Sequence, residues 1–341
     1  MNSKTIDNIV WFISFRKLRD NIRDFMHFIY NLNNPLQAWD SFLVIKFRKH
    51  IKNDTNFYQK YLNLIKNLDK ESVEIVIGIL FKITNYNNIE DDIYFSHKES
   101  KILNDLYEEF NNKIIKINEE LFIYDKYILP FNQFEIEVFY DKSGMDYVKN
   151  LNQVKNKNII DAGAYIGDSA ILFSDYTDKN VYSFEPFLHH YNMMLKTIEL
   201  NKKNNIIPVN MALGNENKEI SIYSNSDTAN SGLSVETKQS DINSFENKVK
   251  MVTLDSYVKE NNIEVGLIKT DLEGFEQPFL KGAIETIKEQ KPVLIISIYH
   301  NYSDFFEIKP MIENLNLGYK FRIIKNRLNK VISETKLLAE V

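Results

Sequence analysis

The chain has 341 residues, enough for one large domain or, more naturally, two, and 44% of them are hydrophobic, enough for sizeable cores. A net charge of −5 with a pI of about 5.8 argues against nonspecific nucleic-acid binding. Cysteine is absent, which excludes disulfides and thiolate metal sites and fits a cytoplasmic location.

The N-terminal part reads as helical from residue 5 to about 125, and a helical module is expected over 1–130. After Lys4 the short apolar run Ile9 to Ile13 ends at Arg16-Lys17 with no small-residue cleavage site, so neither a secretory signal nor a transmembrane segment is expected. Large apolar residues recur from Ile9 to Ile29 at near-helical spacing, including Trp11, Phe12, Phe15, Phe25 and Phe28. Such a stripe must be covered. Asp20 and Asp24 dilute its basic face, which favours burial within the module or against a second copy of the chain over a membrane surface. Pro35 opens a second helix, and further helices are expected over 56–68, 70–84 and 98–111. The β-branched residues between Ser72 and Phe81 leave that segment ambiguous.

From Asn132 the pattern changes, and a second domain is expected over 131–341. Gln133 to Phe139 alternates strictly and predicts a strand with one exposed face. Strand and helix then alternate: strands at 158–161, 180–184, 206–210 and 267–271, helices at 167–176, 188–203 and 275–290. The most apolar strand is Val293 to Tyr299, followed by a helix over 303–315. Two further strands, Glu219 to Tyr223 and Lys250 to Leu254, interrupt this order. Tyr319 to Ile324 and Glu334 to Leu338 can close the sheet as a hairpin. The alternation predicts an α/β fold, doubly wound, with a mostly parallel Rossmann-like sheet and an antiparallel C-terminal strand.

The chemistry gathers at strand ends. Asp161-Ala162-Gly163-Ala164-Tyr165-Ile166-Gly167 is a strand, a glycine turn and a helix start, which lets backbone come close to a ligand. Tyr165 would crowd a pyrophosphate, which speaks against a nicotinamide-dependent dehydrogenase, and no P-loop motif is present. Glu185 ends the next strand at about the spacing of a ribose-binding carboxylate. The turn resembles the first motif of S-adenosylmethionine-dependent methyltransferases, whose cofactor carries a sulfonium and no phosphate.

Together with Phe184-Glu185-Pro186, Thr253-Leu254-Asp255-Ser256-Tyr257 and Ile268-Lys269-Thr270-Asp271-Leu272-Glu273-Gly274-Phe275-Glu276, this order resembles the FkbM family of methyltransferases over residues 155–300. The resemblance implies S-adenosylmethionine as cofactor and O-methylation of a sugar, a glycan or a similar metabolite. Two departures stand out. The acid often expected after the last apolar strand is replaced by Ser297-Ile298-Tyr299-His300, and the first 130 residues are no part of the family core.

Candidate cofactor contacts are Asp161, Gly163, Ala164, Gly167, Glu185, Asn210 and Ala212. The plainer alternatives are a turn cap for Asp161, simple turn glycines for Gly163 and Gly167, and ordinary loop residues for Asn210 and Ala212. Candidate catalytic residues are Asp271, Glu273 and His300, since a hydroxyl becomes a competent nucleophile only when a base takes its proton. Glu276 opens a helix, where an acid also complements the macrodipole. Asp271 with Glu273 offers a Mg²⁺ alternative, but no metal is assigned. His189 and His190 begin a helix and read as surface residues. A different class remains open: a cofactor-binding protein whose helices bind a partner and whose catalysis is lost or secondary.

Overall fold

In a computed structural model the protein is described over residues 35–85, 97–225, 244–326 and 330–341. The apolar stripe from Ile9 to Ile29, and with it the expected contact between copies, lies outside the described residues. Among those residues no helix is long and apolar enough to cross a membrane.

A seven-stranded sheet forms the centre, in the order β12(Lys320–Ile324), β13(Lys336–Glu340), β11(Val293–Ser297), β10(Val265–Thr270), β4(Asn158–Ala162), β5(Val181–Phe184), β6(Ile206–Val209). From β11 to β6 all pairings are parallel; β13 runs antiparallel between β11 and β12. Every residue of β10 and β11 is buried. That is the expected consequence of helices covering both faces, and it is why these strands read as unbroken apolar runs. The chain order turns around at β4. Its carboxyl end is therefore the crevice where open α/β sheets receive ligands.

Two cores flank the sheet. One joins Leu43, Phe47, Leu64, Val76 and Ile83 of the N-terminal helices to Phe305 and Phe306 of helix Tyr302–Glu313 and to Phe321 of β12. The helices Pro35–Asn53, Phe57–Ile65 and Lys70–Asn85 thus share one continuous core with the sheet. The ambiguous Ser72–Phe81 segment lies within the last of them. The other core holds Phe110, Tyr124, Phe139 and Phe173.

Several expectations are corrected. Residues 114–129 are not helical: β1(Ile114–Asn118), β2(Leu121–Tyr124) and β3(Tyr127–Leu129) form a small antiparallel sheet. Gln133 to Phe139 is no strand. Ile136–Phe139 is one helical turn with all four residues buried, and Glu137, the polar member of the alternation, pairs at 3.0 Å with Lys330 Nζ. Because a buried cation satisfies that acid, its place in the period-2 pattern needs no solvent face, whereas Glu135 does reach solvent. The helix expected over 275–290 is two, Glu276–Lys281 and Ile284–Gln290. Asp255 caps the second, accepting from the amides of Thr286 (2.7 Å) and Glu285 (3.1 Å). The strand pair around 220 and 250 forms a separate sheet, β7(Ala212–Leu213), β9(Ser244–Val252), β8(Lys218–Asn225).

Candidate active site

The glycine turn is shaped by three left-handed residues, Gly163 (φ +80°), Tyr165 (+48°) and Gly167 (+84°). Such a backbone at Tyr165 is uncommon for a residue with a side chain and marks a held conformation. The amides of Gly163 and Ala164 both donate to Phe184 O, at 3.1 and 3.0 Å, and lock the turn to the end of β5. A Cβ on Gly163 would lie 1.9 Å from Asp271 O, and one on Gly167 would lie 2.9 Å from Met194 Cγ. Both glycines are therefore required by neighbouring protein, whatever else approaches them. Ala164 is fully buried.

Asp161 sits beneath the turn with no exposed surface. Its carboxylate is 3.0 Å from Lys269 Nζ and accepts a 2.8 Å bond from Ser169 Oγ. Lys269 also donates to Gly163 O at 2.7 Å. The structure thus gives Asp161 a place as support of the turn.

Glu185 is better placed to meet a ligand. Its Oε2 accepts from Tyr165 N and its Oε1 from Phe187 N, each at 2.9 Å. Each oxygen thereby uses one amide and keeps further accepting capacity. Asn210 Nδ2 donates to Glu185 O (2.8 Å) and Pro186 O (3.2 Å), tying the ends of β5 and β6 together. The residues on either side of Glu185, Phe184 and Pro186, wall a small apolar cleft with Gly163, Met211, Leu272 and Phe275, and Ala212 is on the same wall; the Glu185 side chain itself is buried. His190, expected at the surface, is buried. The left-handed turn at Tyr165 brings its ring edge-on to His190 at 4.5 Å, and Glu185 Oε1 is 3.7 Å from His190 Nδ1. The Tyr165 hydroxyl donates to Gln133 Oε1 at 3.1 Å.

The second group stands one strand away, after β10 and β11. His300 is buried, with Nδ1 3.1 Å from Glu276 Oε1 and Nε2 3.3 Å from Asp271 Oδ1 and 3.7 Å from Glu273 Oε2. Glu276 is completely buried and its Oε1 also accepts from Leu272 N at 2.8 Å. Burial pulls the His300 pKa down, but Glu276, Asp271 and Glu273 outweigh it and raise it to about 10. The ring is therefore a cation at neutral pH. Burial raises Asp271 against the pull of His300 and Lys269. Burial also raises Glu273, to about 7, although its side chain keeps 45% of its surface open. Asp271, Glu273 and His300, which the structure groups together, are the three candidates singled out by sequence reasoning.

It missed their neighbours. Tyr299 directs its hydroxyl at Asp271 Oδ1 (3.3 Å) and Glu334 Oε1 (3.5 Å). Glu334 has a left-handed backbone (φ +62°). Burial would raise its pKa, but Lys330, Lys336 and His300 hold it below the usual carboxylate range. Its loop is held by Asp40 of helix Pro35–Asn53, whose carboxylate accepts from the amides of Val331 (2.5 Å), Ile332 (3.1 Å) and Ser333 (2.9 Å) and from Ser333 Oγ (2.8 Å). Lys46 on the same helix donates to Asn301 Oδ1 (3.2 Å), and Asn301 Nδ2 donates to Gly274 O (3.0 Å). Only Lys269 carried a signal: a lysine inside a fully apolar strand calls for a buried partner.

Asp271, Glu276 and His300 can each offer a ligand atom within 4.8 Å of the others. That mixed nitrogen and oxygen set suits a transition ion better than Mg²⁺, which prefers oxygen ligands. No step below depends on a metal.

Comparisons with known proteins agree with this geometry. Residues 161–321 match the model of the methyltransferase FkbM domain. Among solved structures the chain is similar to the FkbM methyltransferase of Methylobacillus flagellatus, at 16% identity and a TM-score of 0.54. That match covers 86% of this chain and 60% of the neighbour, less than two thirds of its length, and it shows the fold alone. An S-adenosylmethionine-dependent methyltransferase of Aquifex aeolicus is 10% identical with a TM-score of 0.34, covering 60% of this chain and 89% of that one. A tRNA (uracil-54, C5)-methyltransferase of Pyrococcus abyssi, in complex with S-adenosyl-L-homocysteine, is 12% identical with a TM-score of 0.33, covering 67% and 44%. A search of curated proteins finds no match. The family model thus covers the stretch that holds the glycine turn and the acidic cluster: residues 161–321 of this chain match a methyltransferase FkbM domain.

Proposed function

We propose that the protein is an S-adenosylmethionine-dependent O-methyltransferase acting on a hydroxyl of a sugar, a glycan or a glycan-like metabolite. The observation that carries this reading is the pairing of two sites along one sheet edge. Glu185, a buried acid with spare accepting capacity, lies between two residues that wall a small apolar cleft, and a half-open cluster of acids around a histidine follows the neighbouring strands. The cleft suits an adenine ring, and Glu185 suits the two ribose hydroxyls. The bound cofactor supplies an electrophilic methyl group on a sulfonium.

The chain's own residues do the rest. Glu273 takes the acceptor's proton at its carboxylate, since a base raised to about 7 is matched to neutral pH and its side chain reaches solvent. The His300 imidazolium holds Asp271 and Glu273 in place and compensates their charge. Asp271 orients the acceptor hydroxyl together with Tyr299. Glu276 fixes the ring from its far side. The sugar acceptor rests on the family resemblance. The test is release of S-adenosylhomocysteine with a panel of sugars and glycans, preceded by calorimetric titration of the cofactor. A folded protein that binds neither S-adenosylmethionine nor S-adenosylhomocysteine would end this reading.

A further inference from the structure

Glu135 lies outside the segment that the family model matches. It stands just before helix Ile136–Phe139 in extended backbone (φ −83°, ψ 128°), and its side chain does not cap that helix. Among the described residues its carboxylate makes no hydrogen bond and no ion pair. Its position is nevertheless fixed on both sides. Two residues earlier, Gln133 accepts the Tyr165 hydroxyl and so lies over the glycine turn. Two residues later, Glu137 is anchored to Lys330.

The surroundings of this acid are acidic. Crowding by protein, then the charges of Asp168, Glu137 and Glu334, push its carboxyl well above the usual range. A cation that acts on it, Lys330, is already engaged by Glu137 at 3.0 Å and Glu334 at 3.7 Å. The Glu135 side chain nevertheless keeps surface open to solvent. A carboxylate held in that position gains most from a cation that a ligand brings with it.

The cofactor reading above says which cation that is, and this inference rests on it. With the base placed in the apolar cleft beside β5 and β6 and the ribose at Glu185, an amino-acid tail that extends across the turn at the end of β4 would meet the segment 133–135, which Gln133 ties to Tyr165. We infer that Glu135 binds the α-ammonium group of the cofactor's amino-acid tail. The residue thereby selects ligands that carry the tail.

The test compares wild-type chain with Glu135→Gln by calorimetric titration against three probes. These are S-adenosylmethionine, S-adenosylhomocysteine and 5′-methylthioadenosine, which keeps base, ribose and sulfur but lacks the tail. Glu135→Gln is expected to weaken the first two by about tenfold or more, the size of one charge-assisted bond, and to leave the third unchanged. Equal weakening of all three, or of none, would overturn the inference. Weakening of S-adenosylmethionine alone would assign the carboxylate to the sulfonium and overturn it too. Wild-type chain that binds none of the three would remove the cofactor reading, whereas wild-type binding of all three with an indifferent variant removes Glu135 only.

Discussion

Lys269 and Asp161 face each other in register on neighbouring strands, β10 and β4, with Nζ 3.0 Å from the carboxylate and both side chains out of solvent. The pair lies directly under the glycine turn, because the same ammonium holds Gly163 O. Removing one partner leaves the other charge buried alone. Lys269→Met is expected to cost about 3–5 kcal/mol of stability, measured by urea denaturation. The double variant with Asp161→Asn should lose less than the sum of the two single losses. Strict additivity would mean that the two groups do not support each other.

Helix Pro35–Asn53 reaches the same edge through Asp40. Asp40→Ala leaves the amides of Val331, Ile332 and Ser333 without their acceptor. Each buried donor so orphaned costs about 1–3 kcal/mol, and a loss of at least about 3 kcal/mol is expected in chemical denaturation. A drop below about 1 kcal/mol would show that water replaces the carboxylate there.

Glu185→Ala should lower affinity for S-adenosylhomocysteine by about tenfold or more, because it removes charge-assisted acceptors at the ribose. The variant also frees the amides of Tyr165 and Phe187, so its fold is checked first by thermal melting. Wild-type affinity in a folded variant would take Glu185 out of the site.

Glu273→Gln keeps the shape of the side chain and removes its charge. Turnover is expected to fall about 10²-fold or more with cofactor affinity little changed. In the wild type, turnover should rise with pH through about 7 as Glu273 ionises. If the variant keeps that limb and near-normal turnover, Asp271 is the base, and Asp271→Asn should then show the loss.

The His300 pKa of about 10 in the fold exceeds its ordinary 6.5, so the folded state holds a proton that the unfolded state releases first. The stability it contributes is fully present below about pH 6.5 and is lost as pH rises towards 10. Unfolding free energies at a series of pH values should therefore decline over that window in the wild type. His300→Gln should flatten the decline; an unchanged slope would mean that the ring is neutral in the fold.

What the sequence revealed and what it concealed both follow from the burial of the sheet. β4, β10 and β11 are covered on both faces, so they stand out as apolar runs, and Asp161 and Asp271 stand out as acids near the ends of β4 and β10, as Glu185 does after β5. The direction of each acid was not legible. Asp161 turns inward to Lys269 and Glu185 turns towards the turn, yet both end a strand in the same way. Residues 133–139 misled because a buried salt bridge imitates an exposed position. Gly163 was read as room for a ligand or as a simple turn glycine; it lines the apolar cleft, and a side chain there would meet the carbonyl of Asp271, a contact the sequence did not reveal. Asp40 and Glu334 gave no signal, since their meaning arises only when the two ends of the described chain meet.

The clamp between Asp40 and Val331 spans 291 positions. Helix Pro35–Asn53 leaves the ribosome long before the hairpin of β12 and β13 exists. Until that hairpin arrives, the apolar side chains Leu43, Phe47 and Ile83 await their partner Phe321, and the loop bearing Glu334 has no fixed course. Closure of so long a loop comes late and is entropically demanding. The surroundings of Tyr299 and Glu334 are then among the last parts of the protein to be assembled, and a nascent chain stalled before residue 331 would carry the glycine turn and Glu185 complete but that side of the cluster unset.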